Sequence, residues 1–182
     1  MMGKSFALAI LACIMMLMHA RVNAQAHSGI GLGAGVNVPF ASGYSTGADV
    51  SLQGNIRLGN RFALVPAIGA KQIKGDGAII HEGYQGYSTY TRGDLGGISL
   101  ALSGKYYFTQ QWFASAGVLG IINADRSSSG GLLAIGYQIP FDNQNNVEFD
   151  LSGSVLKWSR TSGSTTVAVA GLRIAYNFNF RK

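Results

Sequence analysis

Cysteine is nearly absent: the single one, Cys13, lies inside an N-terminal apolar run. Lys4 precedes that run, Phe6 to Met18, and Val22-Asn23-Ala24 supplies the small residues that a signal peptidase reads. The run is thirteen residues long, too short for a membrane helix. Residues 1–24 are therefore expected to be a signal peptide and residues 25–182 one exported domain, although Ala24-Gln25-Ala26 would serve cleavage after Ala26 equally. A lipoprotein reading of Cys13 fits poorly, because Leu11 stands two positions before it and Ile14 to Met18 extend the apolar run beyond it. Removing the signal removes the only thiol, which excludes disulfides and thiol chemistry from the exported part.

Charge is also scarce, at 12% of residues, with 14 Lys and Arg against 8 Asp and Glu. The basic excess is scattered, so no cluster with interleaved aromatics points to nucleic acid. No Pro-rich or Gly/Ser-rich linker divides the chain. Beyond the signal no stretch approaches the roughly 20 apolar residues of a spanning helix, yet mean hydropathy is +0.19. Apolar content without a spanning run leaves two classes, a soluble β-fold or a membrane barrel.

What the chain does have is alternation. Thr166 to Phe180 puts Ala168, Ala170, Leu172, Ile174, Tyr176, Phe178 and Phe180 on one face and Gly171, Arg173, Asn177 and Asn179 on the other. Near the start, Ile30, Leu32, Ala34, Val36, Val38 and Phe40 alternate with Gly29, Gly31, Gly33, Gly35 and Asn37. Those glycines have neither the G-x-G-x-x-G nor the Walker spacing, so they read as a strand whose inner face is kept small. Further strands are expected over residues 47–58, 61–74, 94–108, 112–123, from about 131 to 141 and from 147, giving eight. Strands three and five are apolar on both faces, which leaves their phase less certain. Gly59-Asn60, Thr109 to Gln111 and Asp142 to Asn146 make short turns, whereas Ala41–Thr46, Gly75–Gly93, Ala124–Gly130 and Ser159–Ser164 are read as loops, mostly longer. Phe62, Tyr106, Phe108, Trp112, Phe141, Phe178 and Phe180 all fall at the short-turn end, as an interfacial girdle would.

Tyr176-x-Phe178-x-Phe180 near the C-terminus, with an even strand number and alternating turn lengths, resembles the small eight-stranded outer-membrane β-barrel families: the OmpA transmembrane domain, OmpX and the Bacteroidetes barrel domain. The resemblance covers essentially the whole exported part; Arg181 and Lys182 depart from its terminal Phe. It implies an all-β, antiparallel, up-and-down transmembrane barrel in a bacterial outer membrane. Implied partners are membrane lipid, lipopolysaccharide and the barrel-assembly machinery, which would read Tyr176, Phe178 and Phe180 during insertion. No cofactor or metal is implied, and the chain is expected to act as a monomer.

Eight strands enclose a space that side chains just fill. Asp49, Glu148 and Asp150 then face Arg57, Lys71, Lys105 and Arg173 in the lumen, a near balance that implies a paired polar core. Pairing Leu58 with Phe62 puts Asp49 opposite Lys71, and centring the last loop puts Asp150 opposite Arg173. The expected role is structural or surface interaction, with recognition by Tyr84, Tyr87 and Tyr90 of the long Gly75–Gly93 connection. Three alternatives stand beside it. One is a narrow or gated pore along Arg57, Lys105, Glu148, Asp150 and Arg173. Another is a soluble lipocalin-like binder, greasy inside and polar outside. The third is a lipid A-modifying enzyme using His81, Glu82 and Ser88, against which the sequence offers no G-x-S-x-G elbow, so no catalysis is expected.

Overall fold

The computed structural model describes residues 28–82, 88–123, 127–141, 145–160 and 163–180; the signal segment, Arg181 and Lys182 lie outside them. Ten strands appear among these residues: β1 (Gly29–Pro39), β2 (Tyr44–Arg57), β3 (Phe62–Gly75), β4 (Ile79–Glu82), β5 (Ser88–Thr91), β6 (Leu95–Tyr107), β7 (Trp112–Ile122), β8 (Ser127–Pro140), β9 (Asn145–Arg160) and β10 (Gly163–Asn179). Eight of them close an antiparallel barrel in the order β1-β10-β9-β8-β7-β6-β3-β2, and β4 pairs with β5 alone. The barrel strands run from 11 residues in β1 to 17 in β10, more than the roughly 9–11 that a tilted strand needs to cross a bilayer. Among the described residues no helix is long and apolar enough to cross a membrane.

Alternation decides which face points out. Leu32, Val50, Ile68, Ile98, Val118, Leu133, Leu151 and Leu172 are exposed on the outer surface, while Asn37, Gln53, Lys105, Glu148, Asp150 and Asn177 are buried. A soluble lipocalin-like barrel needs the reverse, and in water so continuous an apolar exterior would be an aggregation surface. The outward aromatics gather at the short-turn end, where Phe62 meets Tyr106 at 4.9 Å between ring centroids, Trp112 meets Tyr137 at 5.0 Å and Phe178 meets Phe180 at 5.8 Å. Rings that are apolar in body and polar at the tip suit an interface; Tyr137 Oη donates to Gln111 Oε1 at 2.9 Å.

The ladders take the register expected from the turn centres. The Leu58 amide donates to Phe62 O at 2.9 Å across the first short turn, and further along that ladder Asp49 stands opposite Lys71. Asp150 stands opposite Arg173. The two ambiguous strands resolve by burial: Ala63 and Val65 of β3, and Phe113, Leu119 and Ile121 of β7, point inward.

Four connections differ from expectation. β2 begins at Tyr44, because a bulge between Ser45 and Gly47 lets the ladder to β3 continue into the second half of the expected loop. Ser127 to Gly130 belong to β8, paired with Leu156 to Ser159, and bury Ser128. β9 and β10 stay paired as far as Arg160 and Gly163, inside the stretch Ser159–Ser164 expected as a loop. The Gly75–Gly93 stretch contains the β4–β5 hairpin; Ile79-Ile80 and the β-prone Thr89, Tyr90 and Thr91 are strand formers inside a Gly-rich segment.

Candidate functional site

The inner wall is built in layers. At the long-connection end Ile73, Leu95, Leu119, Ile121, Leu156, Trp158, Val167 and Val169 form an apolar cluster inside the lumen. A paired polar core alone would not have this layer. It arises because Val167, Val169, Leu156 and Trp158 share the inward phase of Arg173 and Asp150 further along the same strands. Ala41 of the first long connection and Tyr44 at the start of β2 pack against it. At the short-turn end Ala63, Tyr107 and Phe113 make a smaller cluster.

The polar layer lies between. Lys105 Nζ donates to both carboxylate oxygens of Glu148, at 2.8 and 2.9 Å, with Lys105 3% and Glu148 0% exposed. Its ammonium also sits 4.1 Å from the centre of the Phe113 ring, a cation–π contact. Gln53 is the hub: its amide nitrogen donates to Glu148 Oε2 at 3.3 Å and to Asn177 Oδ1 at 2.7 Å, and its oxygen accepts from Arg173 Nη1 at 2.8 Å. Arg173 Nε reaches Asp150 Oδ2 at 2.8 Å and Nη2 donates to the same oxygen, while Asn177 passes a bond on to Asn146. Low dielectric makes such charge-assisted bonds strong and any unpaired member costly.

Asp49 and Lys71, although register partners, form no direct ion pair among the described residues; Asn37 stands between them. It accepts from Lys71 Nζ at 2.6 Å and donates to Asp49 Oδ2. Arg57 stays out of the network and lies 3.7 Å over the Tyr107 ring at the mouth. Glycines of β1 make room for the network: a Cβ at Gly31 would stand 1.9 Å from Asn177 Oδ1, and one at Gly35 3.2 Å from Asp49 Oδ2. A cavity of about 110 Å³ remains, lined by Asp49, Ser51, Lys71, Asp150 and Arg173 among others. The bridging residues Asn37, Gln53, Asn146 and Asn177 are what a search for charges misses, although Asn37, Gln53 and Asn177 hold inward positions in a legible alternation.

At the outer rim the hairpin is tied to the first long connection. The Asp76 amide donates to Gly43 O at 3.0 Å, and Arg92 Nη1 bridges Asp76 Oδ2 at 3.0 Å. Gly43 has φ 80° and its missing Cβ leaves the space that the Arg92 guanidinium fills. Asp94 accepts from the Gly75 amide at 3.0 Å and Gln72 Nε2 at 2.8 Å, and these bonds hold its carboxyl below the usual range. Tyr84 and Tyr87 lie outside the described residues; Tyr90 is the register partner of Ile80 in the hairpin. His81 pairs with Thr89, and Glu82 with Ser88. Tyr176, Phe178 and Phe180 share the outer face of the last strand, which β1 seals: the Phe180 amide donates to Ser28 O at 2.6 Å.

No protein-family model matches the chain and no curated protein matches it. Among solved structures it is similar to Ail, the attachment invasion locus protein of Yersinia pestis, at 11% identity and TM-score 0.50, covering 85% of this chain and 98% of that one. The same protein in complex with the heparin analogue sucrose octasulfate gives TM-score 0.48 at 11% identity with the same coverage. The CymD monoaromatic hydrocarbon channel gives TM-score 0.34 at 12% identity; the match covers 87% of this chain and 49% of that channel. At these identities the likeness to Ail is one of fold, an eight-stranded membrane barrel.

Proposed function

We propose that this chain is a non-catalytic bacterial outer-membrane barrel with a closed lumen, and that it acts by surface interaction, as adhesion or ligand capture, at its long-connection end. The carrying observation is the filled lumen. An apolar layer, a hydrogen-bonded ionic layer and an aromatic layer succeed one another along the axis, so interaction is left to the rim and to the β4–β5 hairpin rising from it. Attachment is named for the Yersinia pestis barrel that shares the fold. The tyrosines 84, 87 and 90 of the hairpin stretch would supply contact area. Membrane lipid and lipopolysaccharide would surround the barrel as a monomer, and the assembly machinery would read Tyr176, Phe178 and Phe180 before closure. Catalysis at His81, Glu82 and Ser88 has little support, since the chain offers no G-x-S-x-G elbow.

Bacteria displaying the full chain are compared with bacteria whose residues 79–91 are replaced by a short Gly-Ser linker, on cultured epithelial monolayers. Attachment lost with the barrel still folded supports the reading; equal attachment rejects it. The pore reading has one observation in its favour, the cavity that Asp49, Lys71, Asp150 and Arg173 help to line. Stepwise currents from the purified protein in planar bilayers would put it ahead of the closed lumen.

A further inference from the structure

Of Arg57, Lys71, Lys105 and Arg173, three have an answering carboxylate. Lys105 holds Glu148, Arg173 holds Asp150, and Lys71 reaches Asp49 through Asn37. Arg57 is the surplus cation. Its guanidinium carbon lies 3.7 Å from the centre of the Tyr107 ring, and among the described residues its side chain takes part in no ion pair and no hydrogen bond. Stacking uses the face of a guanidinium, so the N–H fork at its edge is unspent.

Neutral donors stand beside it. Ser28 Oγ accepts from the Arg57 amide at 3.3 Å, which leaves its own O–H to give. Gly29 pairs with Asn55 of β2 on one side and with Asn179 of β10 on the other, and a Cβ on Gly29 would stand 2.8 Å from Asn179 Oδ1. The Asn179 amide therefore occupies the space that the glycine leaves. Ser28, Arg57 and Asn179 are all half-buried, at the end where Ala63, Tyr107 and Phe113 form the small apolar cluster. In an outer-membrane barrel the short-turn end opens to the periplasm.

Charge selects the ligand. Arg61, the other described cation of this end, is exposed in the first short turn and directs Nη1 to Tyr106 Oη at 3.5 Å, so the mouth itself holds one positive charge. A monoanion matches it, and a planar carboxylate fits the fork with two parallel bonds. A phosphate monoester would bring about −1.5 to −2 and leave negative charge over.

We propose that the short-turn mouth is a carboxylate site, in which Arg57, stacked on Tyr107, takes the anion while Ser28 and Asn179 complete its hydrogen bonds. The ligand is a free carboxylic acid or the carboxylate of a peptide, arriving from the periplasmic side. The site lies at the opposite end of the barrel from the hairpin and does not depend on what the hairpin binds.

The test titrates the full folded chain in detergent micelles, with isotope-labelled arginine, and follows the Nε–H signals at constant ionic strength. The probes are acetate, acetyl-dialanine, the C-terminal amide of acetyl-dialanine and inorganic phosphate. A saturable shift of the Arg57 signal by the carboxylates is expected, at about tenfold lower concentration than the solvated Arg61 requires, with no response to the amide and none in Arg57→Gln. Acetate alone moving the signal assigns a free acid; acetyl-dialanine moving it at lower concentration assigns a peptide. Equal responses of Arg57 and Arg61 would overturn the proposal, as would tighter binding of phosphate. So would an Arg57 fork already turned onto Asn55 Oδ1, which has no partner among the described residues. If Arg57→Gln does not fold, the contrast between the acid and amide probes on the wild type decides alone.

Discussion

A methyl group at position 136 has nowhere to go. A Cβ built on Gly136 would stand 2.3 Å from Phe113 Cζ and 2.5 Å from Asp150 Oδ1, and both neighbours are buried. Gly136→Ala is therefore expected to lower stability by about 1–3 kcal/mol, read as the urea midpoint in detergent micelles. The Lys105–Glu148 pair allows a stricter test. Lys105→Met leaves a buried carboxylate without its cation and should cost about 3–5 kcal/mol, whereas adding Glu148→Leu should recover most of the loss. A double variant as unstable as the single would show that the ammonium acts through packing on Phe113 rather than through the pair. Asp94 gives the pH dependence. Its folded carboxyl titrates below the ordinary value, so its bonds to Gly75 and Gln72 contribute fully above the unfolded value and are lost as pH falls through the folded one. Carbon-detected titration should find Asp94 below the ordinary carboxylate value, and removing the side-chain amide donor with Gln72→Ala should move it back up. At this scale the charged lumen residues were legible because inward phase and charge coincide, whereas neutral Gln53 and Asn37 carry no such label.

Among the elements, the barrel strands were the most legible part, since six of the eight carry a period of two over 11 residues or more, and only β3 and β7 are apolar on both faces. Their ends were not. Ser127 to Gly130, and Ser159, Arg160, Gly163 and Ser164, have loop composition, yet neighbouring strands already present paired backbone there, and ladder hydrogen bonds outweigh local preference. The β4–β5 hairpin was hidden for the opposite reason, being four residues a side and set among glycines. It pairs with no barrel strand and meets the rim through Asp76, Arg92 and Gly43. Replacing residues 79–91 by a linker should therefore leave the barrel's unfolding midpoint nearly unchanged. Trp158→Ala, by contrast, opens the apolar layer and should cost about 3–5 kcal/mol. A large loss on removing the hairpin would mean that it is part of the closure at that end.

For the whole molecule the deciding question is which solvent its outer surface is built for. A polar lining inside and an apolar band outside are the inverse of a soluble barrel, and this much was readable from phase; the inner apolar layer was not, because apolar residues on an inward phase look like ambiguity. A depth series turns the point into a measurement. Leu133 lies at the middle of β8, 66% exposed, and Phe141 lies just past the short-turn end of the same strand, 67% exposed. In water Leu133→Arg and Phe141→Arg should both be nearly neutral, because neither side chain has a core to leave. In a bilayer the same two changes separate: arginine at the midplane costs about 2–4 kcal/mol and at the interface about 0–1. Refolding into lipid vesicles should therefore show a substantial loss for Leu133→Arg and a small one for Phe141→Arg. Equal effects at the two depths would mean that the apolar band meets something other than hydrocarbon, and the membrane assignment would fall with it.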